Sequence, residues 1–334
     1  MISDKHIVLV TGGSGFLGSR LVSYLSYHGA EVRALYHNTP PSAEQQQLPG
    51  VAWQQCDLLD VYDVEQVFDG VSEVYHCAAI VSFNKADRQR LIQANVESTA
   101  NLVNQALENG IRKMVHVSSI AALGRGDVSN KITEEQQWEE SKYNSVYAQS
   151  KYYAEMEVWR GMAEGLNGVI VNPAVILGEG NWDKGSASLL KVVYNEFPYY
   201  TGGVNGWVDV DDVVRAMYML MNSDINDERF IVCEGNYSYK ELFTMMAEHM
   251  GRKPPSRKAG KFLSALVWRF SVLKSMFTGK PSTITKETAS TAQRVVYYDN
   301  SRLLNMLPGF GYTPMKQTVK RISEAFLKEK QADF

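Results

Sequence analysis

A tyrosine and a lysine four residues apart, Tyr147 and Lys151 in the segment YAQSK, form a pair that could move protons. In a helix this spacing puts both side chains on one face. A phenol titrates near about pH 10, and a neighbouring ammonium lowers that pKa by stabilising the phenolate. Tyr147 could then protonate a carbonyl oxygen or deprotonate an alcohol, and Ser119 could hydrogen-bond the same oxygen. The alternative is an exposed Tyr and Lys that a helix places together by chance.

Three glycines, Gly12, Gly15 and Gly18, stand in TGGSGFLG between a predicted strand and a predicted helix. A tight turn needs a residue that tolerates positive φ, and close approach of a ligand to backbone N–H groups excludes a Cβ. The N-terminus of the helix would present unpaired N–H groups to phosphates. The spacing therefore predicts a dinucleotide site with its pyrophosphate on this turn; the alternative is a plain glycine turn.

The end of the second predicted strand bears on which dinucleotide binds. A carboxylate there would bind the ribose 2′-hydroxyl of NAD, but the position is Tyr36, followed by His37. No acidic side chain would repel a 2′-phosphate, and His37 or Arg20 could contact one, so we expect NADP(H) to be favoured over NAD(H). Asp57, after the third predicted strand, could bind the adenine amino group or act as a helix N-cap.

Strand and helix patterns alternate through the first half of the chain. Short β-branched runs predict buried parallel strands, and apolar residues at helical spacing predict the helices between them. The alternation predicts an α/β fold with a doubly wound parallel sheet of the Rossmann type. The predicted strands are 6–10, 31–36, 51–56, 74–77, 113–117 and 168–172, and the predicted helices are 15–28, 62–68, 88–109 and 147–164.

The pattern changes after Pro173, where glycine and aromatic residues become frequent, and mostly helical patterns follow from Tyr239. These changes predict a smaller, discontinuous, mostly helical substrate lobe. The dinucleotide-binding domain is predicted to comprise 1–173 and 207–233, and the lobe 174–206 and 234–334.

Two segments of the second half need separate interpretation. Residues 207–221 are predicted to be a loop and a helix that return to the large domain. The apolar, lysine-bearing segment 258–280 is either a membrane-surface helix or a helix that covers the pocket or core, and we favour the second.

Composition limits the class of protein. The 334 residues carry a net charge of −3, from 34 basic and 37 acidic residues, so bulk charge does not argue for nucleic acid or anionic lipid as a partner. Cys56, Cys77 and Cys233 are odd in number and form no CxxC pair, so we expect neither disulfides nor a metal site, in keeping with a reducing, cytoplasmic location. We find no signal peptide and no apolar run of membrane-spanning length.

A series of motifs occurs in one order between residues 7 and 221: TGGSGFLG, CDLLD, HCAA, NVESTANLV, VHVSSIAALG, YAQSK, NPAVILGEG and WVDVDDVVRA. As a set they resemble the extended short-chain dehydrogenase/reductase family, which includes NAD-dependent epimerases and dehydratases. DERFIVCEGNYSYKEL resembles its dihydroflavonol-reductase-like branch. The resemblance implies an NAD(P)-dependent oxidoreductase that transfers hydride between a nicotinamide and a carbonyl or alcohol of a small-molecule substrate.

The resemblance also implies roles for individual residues. Ser119, Tyr147 and Lys151 match the catalytic set, and Tyr36 and His37 depart from the Asp of NAD-type and the Arg of NADP-type relatives. The remaining matches are to the cofactor site: the pyrophosphate turn at Gly12, Gly15, Phe16, Leu17 and Gly18, the adenine contact at Asp57 and Leu58, the segment under the adenosine ribose at Ala78 and Ala79, and the segment beside the nicotinamide at Pro173 and Val175.

Other functions remain open at this point. A nucleotide-sugar epimerase or dehydratase would use the same hydride step with bound NAD, but NPA stands where the sugar-nucleotide branch often has RPA. That function would need arginines to hold a diphosphate, with candidates Arg252, Arg257, Arg269 and Arg294. A non-catalytic dinucleotide-binding regulator is the third possibility, although such relatives usually lose the Tyr or the Lys.

The rest of the pocket and the assembly are less constrained by sequence. The predicted helices 88–109 and 147–164 are long and amphipathic and could pair in a homodimer. Loop positions that could line the substrate pocket, or simply pack, are Ser82, Phe83, Leu123, Trp182 and Tyr200.

Overall fold

The computed structural model describes residues 6–82, 85–124, 131–141, 144–260 and 291–332. Its centre is a seven-stranded sheet with the strand order β10-β6-β5-β4-β1-β2-β3, and every neighbouring pair is parallel. Its strands are β1 Ile7–Thr11, β2 Glu31–Tyr36, β3 Val51–Gln55, β4 Val71–His76, β5 Lys113–Val117, β6 Gly168–Pro173 and β10 Glu228–Val232. The predicted doubly wound α/β fold is confirmed.

Helices cover both faces of this sheet, which explains why nearly all residues of its central strands are buried. All six residues of β6 are buried, and one face of α1, including Leu21 and Val22, packs against β1 and β2. The helices are α1 Phe16–Tyr27, α2 Ala43–Gln46, α3 Val61–Gln66, α4 Arg88–Ile92, α5 Ser98–Glu108, α6 Val146–Ala163, α7 Ser188–Tyr194, α8 Val210–Met221, α9 Tyr239–Met250, α10 Ser301–Met306 and α11 Met315–Ala332.

The strand order reverses between β1 and β4, because the chain winds outward through β2 and β3 and then crosses to β4 on the other side of β1. In open α/β sheets, ligands bind outside the carboxyl ends of the strands at such a reversal. The loops after β1, β4 and β5 carry the glycine turn, Cys77–Ala79 and Ser119. The topology therefore gathers the predicted site residues at one edge.

A second core lies beside the sheet. Helices α7, α9 and α11 pack together through large apolar side chains, including Leu190, Met246 and Phe326. Two small sheets accompany them, β7–β9–β11 and β8–β12. Their strands are β7 Val175–Leu177, β8 Tyr199–Tyr200, β9 Val204–Asp209, β11 Gly235–Ser238 and β12 Arg257–Lys258.

Two predicted elements differ in detail. The helix expected over 88–109 is α-helical only at its ends, since Gln93–Glu97 forms a π-helical turn between α4 and α5. The loop expected at the start of 207–221 is instead the end of strand β9, which pairs with β7 and β11 before α8 begins. Most of segment 258–280 lies outside the described residues. Among the helices that the structure describes, none has the length and hydropathy to cross a membrane.

Candidate active site

The glycine turn after β1 is packed so closely that two of its positions cannot carry a Cβ. Gly12 has a φ of 66°, and a Cβ on it would lie 2.8 Å from the backbone of Ala78. A Cβ on Gly18 would lie 2.1 Å from the carbonyl oxygen of Gly12, so α1 can approach the turn only with glycine there. These distances give two of the predicted glycines the tight-turn and close-packing roles of a dinucleotide cradle.

The N-terminus of α1 faces this turn without a competing side chain. Gly15 is the N-cap, makes no side-chain cap hydrogen bond, and the first turn of α1 contains no acidic residue. Phe16, 38% exposed, lies against Gly178 and Gly180, where added Cβ atoms would come 3.1 and 3.0 Å from its ring. Leu17 is buried in the core beneath. The free helix end suits a phosphate group.

Tyr147 lies in the first turn of α6, which begins where Ser145 caps the helix by accepting a hydrogen bond from the Ala148 N–H at 2.8 Å. Its side chain is hydrogen-bonded to that of Ser119. The Ser119 hydroxyl also accepts from the Ala121 N–H at 3.1 Å, which fixes it at the end of β5. The structure therefore brings together the phenol and hydroxyl that the sequence placed 28 residues apart.

The pKa of Tyr147 is raised by burial, and the hydrogen bond to Ser119 only partly opposes this. The expectation that the Lys151 ammonium lowers this pKa is wrong: burial dominates, and Ser119 is the group that opposes it. Tyr147 therefore remains a neutral phenol at physiological pH, the form that can give a proton to an oxygen.

Lys151 is a buried cation one helical turn further along α6, 2% exposed. Its Nζ donates to the Val117 carbonyl oxygen at 2.7 Å. Burial lowers the pKa of Lys151 to about 8, while the Glu155 and Cys77 side chains act in the opposite direction. The ammonium is thus held beside the end of β5, two residues before Ser119.

A chain of hydrogen bonds, which the sequence did not predict, joins the glycine turn to α6. Its members lie on β1, β4, the π-helical turn, α5 and α6. Thr11 Oγ1 is 2.7 Å from His76 Nδ1, His76 Nε2 is 2.9 Å from Thr99 Oγ1, Thr99 donates to the Asn95 carbonyl at 2.6 Å, and Asn95 Nδ2 donates to Ser150 Oγ at 3.0 Å. Ser150 in turn donates to the Tyr147 carbonyl at 2.9 Å.

The residues around the end of β2 are arranged more openly. Tyr36 ends the strand, and His37 Nε2 lies 3.7 Å from Asp57 Oδ2 with both side chains about half exposed. Asp57 accepts from the Leu59 N–H, whereas Asp60 caps α3, so the N-cap interpretation of Asp57 is wrong. Leu58, the residue after Asp57, is partly buried and packs against the core.

Arg20 does not reach the end of β2. Its guanidinium donates to Glu179 at 2.7 Å, and Arg321 donates to the other oxygen of the same carboxylate at 3.1 Å. This arrangement removes Arg20 as a candidate contact to a 2′-phosphate and instead connects α1 with α11.

Four other predicted site residues lie at or just after the carboxyl ends of strands in the large sheet. They are Ala78 and Ala79 after β4, Pro173 at the end of β6, and Val175, which follows β6 and begins β7. Ala78 donates its N–H to Thr11 Oγ1 at 3.2 Å, which ties this loop to the glycine turn. Its neighbour Ala79 is exposed, so this loop is open to a ligand.

The loop positions considered as pocket lining mostly pack. Leu123 is fully buried, and Trp182 lies in the second core with its N–H donated to Glu329 at 2.7 Å. Tyr200 lies under the ammonium of Lys240, Ser82 bonds Asp87, and Phe83 lies outside the described residues. Among the candidate arginines, Arg252 stacks on Tyr194 at 4.3 Å and Arg257 is an exposed residue of β12, while Arg269 lies outside the described part.

Together the parallel sheet, the glycine turn at the start of α1 and the Ser–Tyr pair beside a buried lysine define an NAD(P)-dependent oxidoreductase with a Rossmann-type domain. The model of the NAD-dependent epimerase/dehydratase family matches residues 8–233. The chain belongs to this family, within the extended short-chain dehydrogenases/reductases.

Two named relatives and one solved structure are similar to this chain over most of its length. A putative dihydroflavonol 4-reductase of Synechocystis is 29% identical over 327 residues, which cover 95% of this chain and 94% of the relative. Sterol demethylase protein B of Methylococcus capsulatus is 30% identical over 255 residues, covering 74% and 75%. The crystal structure of gox2253 superposes with a TM-score of 0.80 at 26% identity and covers 97% of this chain and 98% of its own.

Proposed function

We propose that the protein is a reductase or dehydrogenase in which Tyr147 exchanges the proton with the carbonyl or alcohol oxygen of a small substrate. The observation that carries the proposal is the hydrogen bond between Tyr147 and Ser119, beside the buried ammonium of Lys151. A substrate oxygen that takes a place beside both hydroxyls would accept hydrogen bonds from them. When bound, the nicotinamide supplies or accepts the hydride.

Each protein group has a separate part in this proposal. In reduction, Tyr147 donates its proton to the oxygen as negative charge develops there, and Ser119 stabilises that charge by a hydrogen bond. Lys151 supplies the positive charge that stabilises the phenolate left behind, and it would bind the nicotinamide ribose. In oxidation the same groups act in reverse.

The cofactor contacts are proposed by position. The pyrophosphate would bind at the turn formed by Gly12, Gly15, Phe16, Leu17 and Gly18, where α1 begins and where a Cβ on Gly12 or Gly18 would clash with the backbone. Asp57 and Leu58 would contact the adenine, Ala78 and Ala79 the adenosine ribose, and Pro173 and Val175 the nicotinamide. These positions all follow the carboxyl ends of strands in the large sheet.

We also propose a preference for NADP(H) over NAD(H). The strand β2 ends in Tyr36 followed by His37, so the strand end itself carries no carboxylate; the Asp57 carboxylate lies 3.7 Å from His37 Nε2. A cavity of about 390 Å³ opens beside Tyr36, lined also by Pro40 and Trp53, and gives room for a substituent there.

The organisation of the chain is proposed in the same way. Because β10 pairs with β6, residues 207–233 would belong with 1–173 in the dinucleotide-binding domain, and 174–206 with 234–334 in the substrate lobe. Helices α5 and α6 would pair with their copies in a homodimer, which sedimentation would reveal as twice the chain mass. Three free cysteines fit a cytoplasmic location.

The test is turnover of a panel of aldehydes and ketones with NADPH, comparing the wild type with Tyr147→Phe. We expect kcat to fall about 10³-fold in the variant, because a proton donor is lost while the ring remains. Equal activity of the two proteins would overturn the proposal. Thermal shifts with UDP- or GDP-sugars, without ketone reduction, would favour an epimerase or dehydratase instead.

A further inference from the structure

Glu155 is a carboxylate with no solvent exposure, one helical turn beyond Lys151 on α6. Burying a carboxylate is costly unless several donors surround it. Here Oε2 accepts from Ser118 Oγ at 2.7 Å and from Asn172 Nδ2 at 2.9 Å, and Oε1 accepts from Arg229 Nη1 at 3.0 Å. A more distant donor is Trp159 Nε1 at 3.4 Å. The carboxylate thus joins α6 to the ends of β5 and β6 and to β10.

The donors on the two strand ends hold the backbone on both sides of Ser119. Ser118 is its neighbour, and Asn172 Nδ2 donates a second hydrogen bond to the Ser119 carbonyl oxygen at 3.0 Å. Both amide hydrogens of Asn172 are therefore used, and rotating the amide would turn its oxygen toward the carboxylate. The orientation of Asn172 is fixed by Glu155, and that of the Ser119 peptide by Asn172.

The same carboxylate also acts on the charge of Lys151. Charged or titratable groups face Lys151 from three directions: Glu155 on α6, Cys77 after β4, and the neutral rings of His76 on β4 and His116 on β5. Of these, Glu155 raises the lysine pKa the most. Without it, burial would remove the proton from Lys151 at lower pH.

We propose that Glu155 is a positioning residue of this enzyme: it holds the Ser118–Ser119 backbone against α6 and places a buried negative charge one helical turn from Lys151. The hydrogen bonds of Glu155 set the position of the Ser119 hydroxyl relative to the Tyr147 phenol. Glu155 itself does not contact the substrate. The inference rests on the proposed roles of Ser119, Tyr147 and Lys151.

The decisive variant is Glu155→Gln, which keeps the shape and removes the charge. We expect kcat to fall about 50-fold, while the Kd of NADPH and the KM of the substrate change less than about threefold, because misplaced reacting groups cost rate more than binding. The alkaline fall of kcat should move to lower pH, since Lys151 loses its proton earlier. If the variant only yielded less folded protein, the amount of active enzyme would fall, but the pH at which kcat decreases would not change.

Glu157→Gln is the matched control. Glu157 lies on the same helix, two residues further on, and pairs with Arg160 at the surface. Its variant should keep the wild-type kcat and the wild-type pH dependence.

Ser118→Ala keeps the charge and removes one hydrogen bond, so it tests position alone and decides the question if Glu155→Gln fails to fold. We expect kcat to fall about fivefold with the alkaline fall at the wild-type pH, since a hydrogen bond to a charged group is lost. Wild-type kcat in either folded variant overturns the proposal, as does a slower Glu155→Gln with an unshifted pH dependence. If Tyr147→Phe is itself fully active, the proposed function has failed instead.

Discussion

The hydroxyl of Thr11 lies 2.7 Å from Nδ1 of His76, and this contact fixes the direction of a whole hydrogen-bond chain. Thr11 Oγ1 already accepts from the Ala78 N–H, and Thr99 Oγ1 donates to the Asn95 carbonyl. Burial lowers the pKa of His76 to about 3, so the ring is neutral. Thr11 must then donate to Nδ1, and Nε2–H must donate to Thr99. The glycine turn and α6 are thereby joined through His76, in the tautomer that carries its proton on Nε2.

Thr99→Val should destabilise the protein, because it leaves the Nε2–H of the buried His76 without its acceptor. We expect a loss of about 1–3 kcal/mol in the free energy of unfolding, measured by urea denaturation. Ser98→Ala is the control, because among the described residues the Ser98 hydroxyl bonds the Ala94 carbonyl, at 2.5 Å within the helix. Thr99→Ser should regain most of the lost stability. Equal stabilities of Thr99→Val and Ser98→Ala would contradict the chain.

Two buried histidines should make the protein acid-sensitive. Burial lowers the pKa of His76 to about 3 and that of His116 well below its usual range. Between about pH 6.5 and 3 the unfolded chain binds protons that the native one does not, so stability falls as pH falls, by about 1.4 kcal/mol per pH unit for each histidine.

His116→Leu tests this sensitivity, since no protein group among the described residues hydrogen-bonds either of its ring nitrogens. Removing it leaves no partner unsatisfied, so the free energy of unfolding at pH 7 should be unchanged or higher. The acid slope should be smaller than in the wild type, as followed by denaturation at pH 7, 6 and 5. A slope equal to that of the wild type would show that His116 is protonated in the native state.

The charge of Lys151 should limit activity at alkaline pH. Its pKa is lowered to about 8 by burial, so kcat/KM should fall as pH rises through this value and the ammonium becomes neutral. Lys151→Arg keeps a positive charge at all these pH values, so its residual activity should fall only at higher pH. An alkaline fall at the same pH in both proteins would assign it to another group.

Tyr36→Asp should change the choice of cofactor. A carboxylate at the end of β2 can bind the ribose 2′-hydroxyl and repels a 2′-phosphate. We expect the Kd of NADPH to rise about tenfold and that of NADH to fall, which fluorescence titration would measure. Tyr36→Phe, which removes only the hydroxyl, is the control and should keep the wild-type preference. Tighter binding of NADH than NADPH by the wild type would refute the preference itself.

The sequence predicts the large sheet well because its strands are short, mostly apolar runs that alternate with helical patterns. The strands Glu31–Tyr36 and Lys113–Val117 have the bounds that the pattern indicates. The glycine turn and the Tyr147–Lys151 spacing are similarly local. They depend on neighbours within one turn or one helix, which a linear pattern contains.

The supporting residues could not be predicted in this way. Glu155 reads as an ordinary surface residue of a helix, and its donors Asn172 and Arg229 lie 17 and 74 residues away. His76 also reads as one polar residue at the end of an apolar strand. Their roles depend on which strands lie side by side, and the sequence pattern specifies that only after the topology is known.

The π-helical turn at Gln93–Glu97 makes the length of this helix unusually important. An α-helix advances about 100° per residue, so a single deletion here would restore regular winding and turn everything before it by that angle. The two hydrogen bonds, from Asn95 to Ser150 and from His76 to Thr99, could then not form at the same time. A shorter, more regular helix would thus be a worse scaffold, and the insertions or deletions that surface loops tolerate should be excluded from this segment.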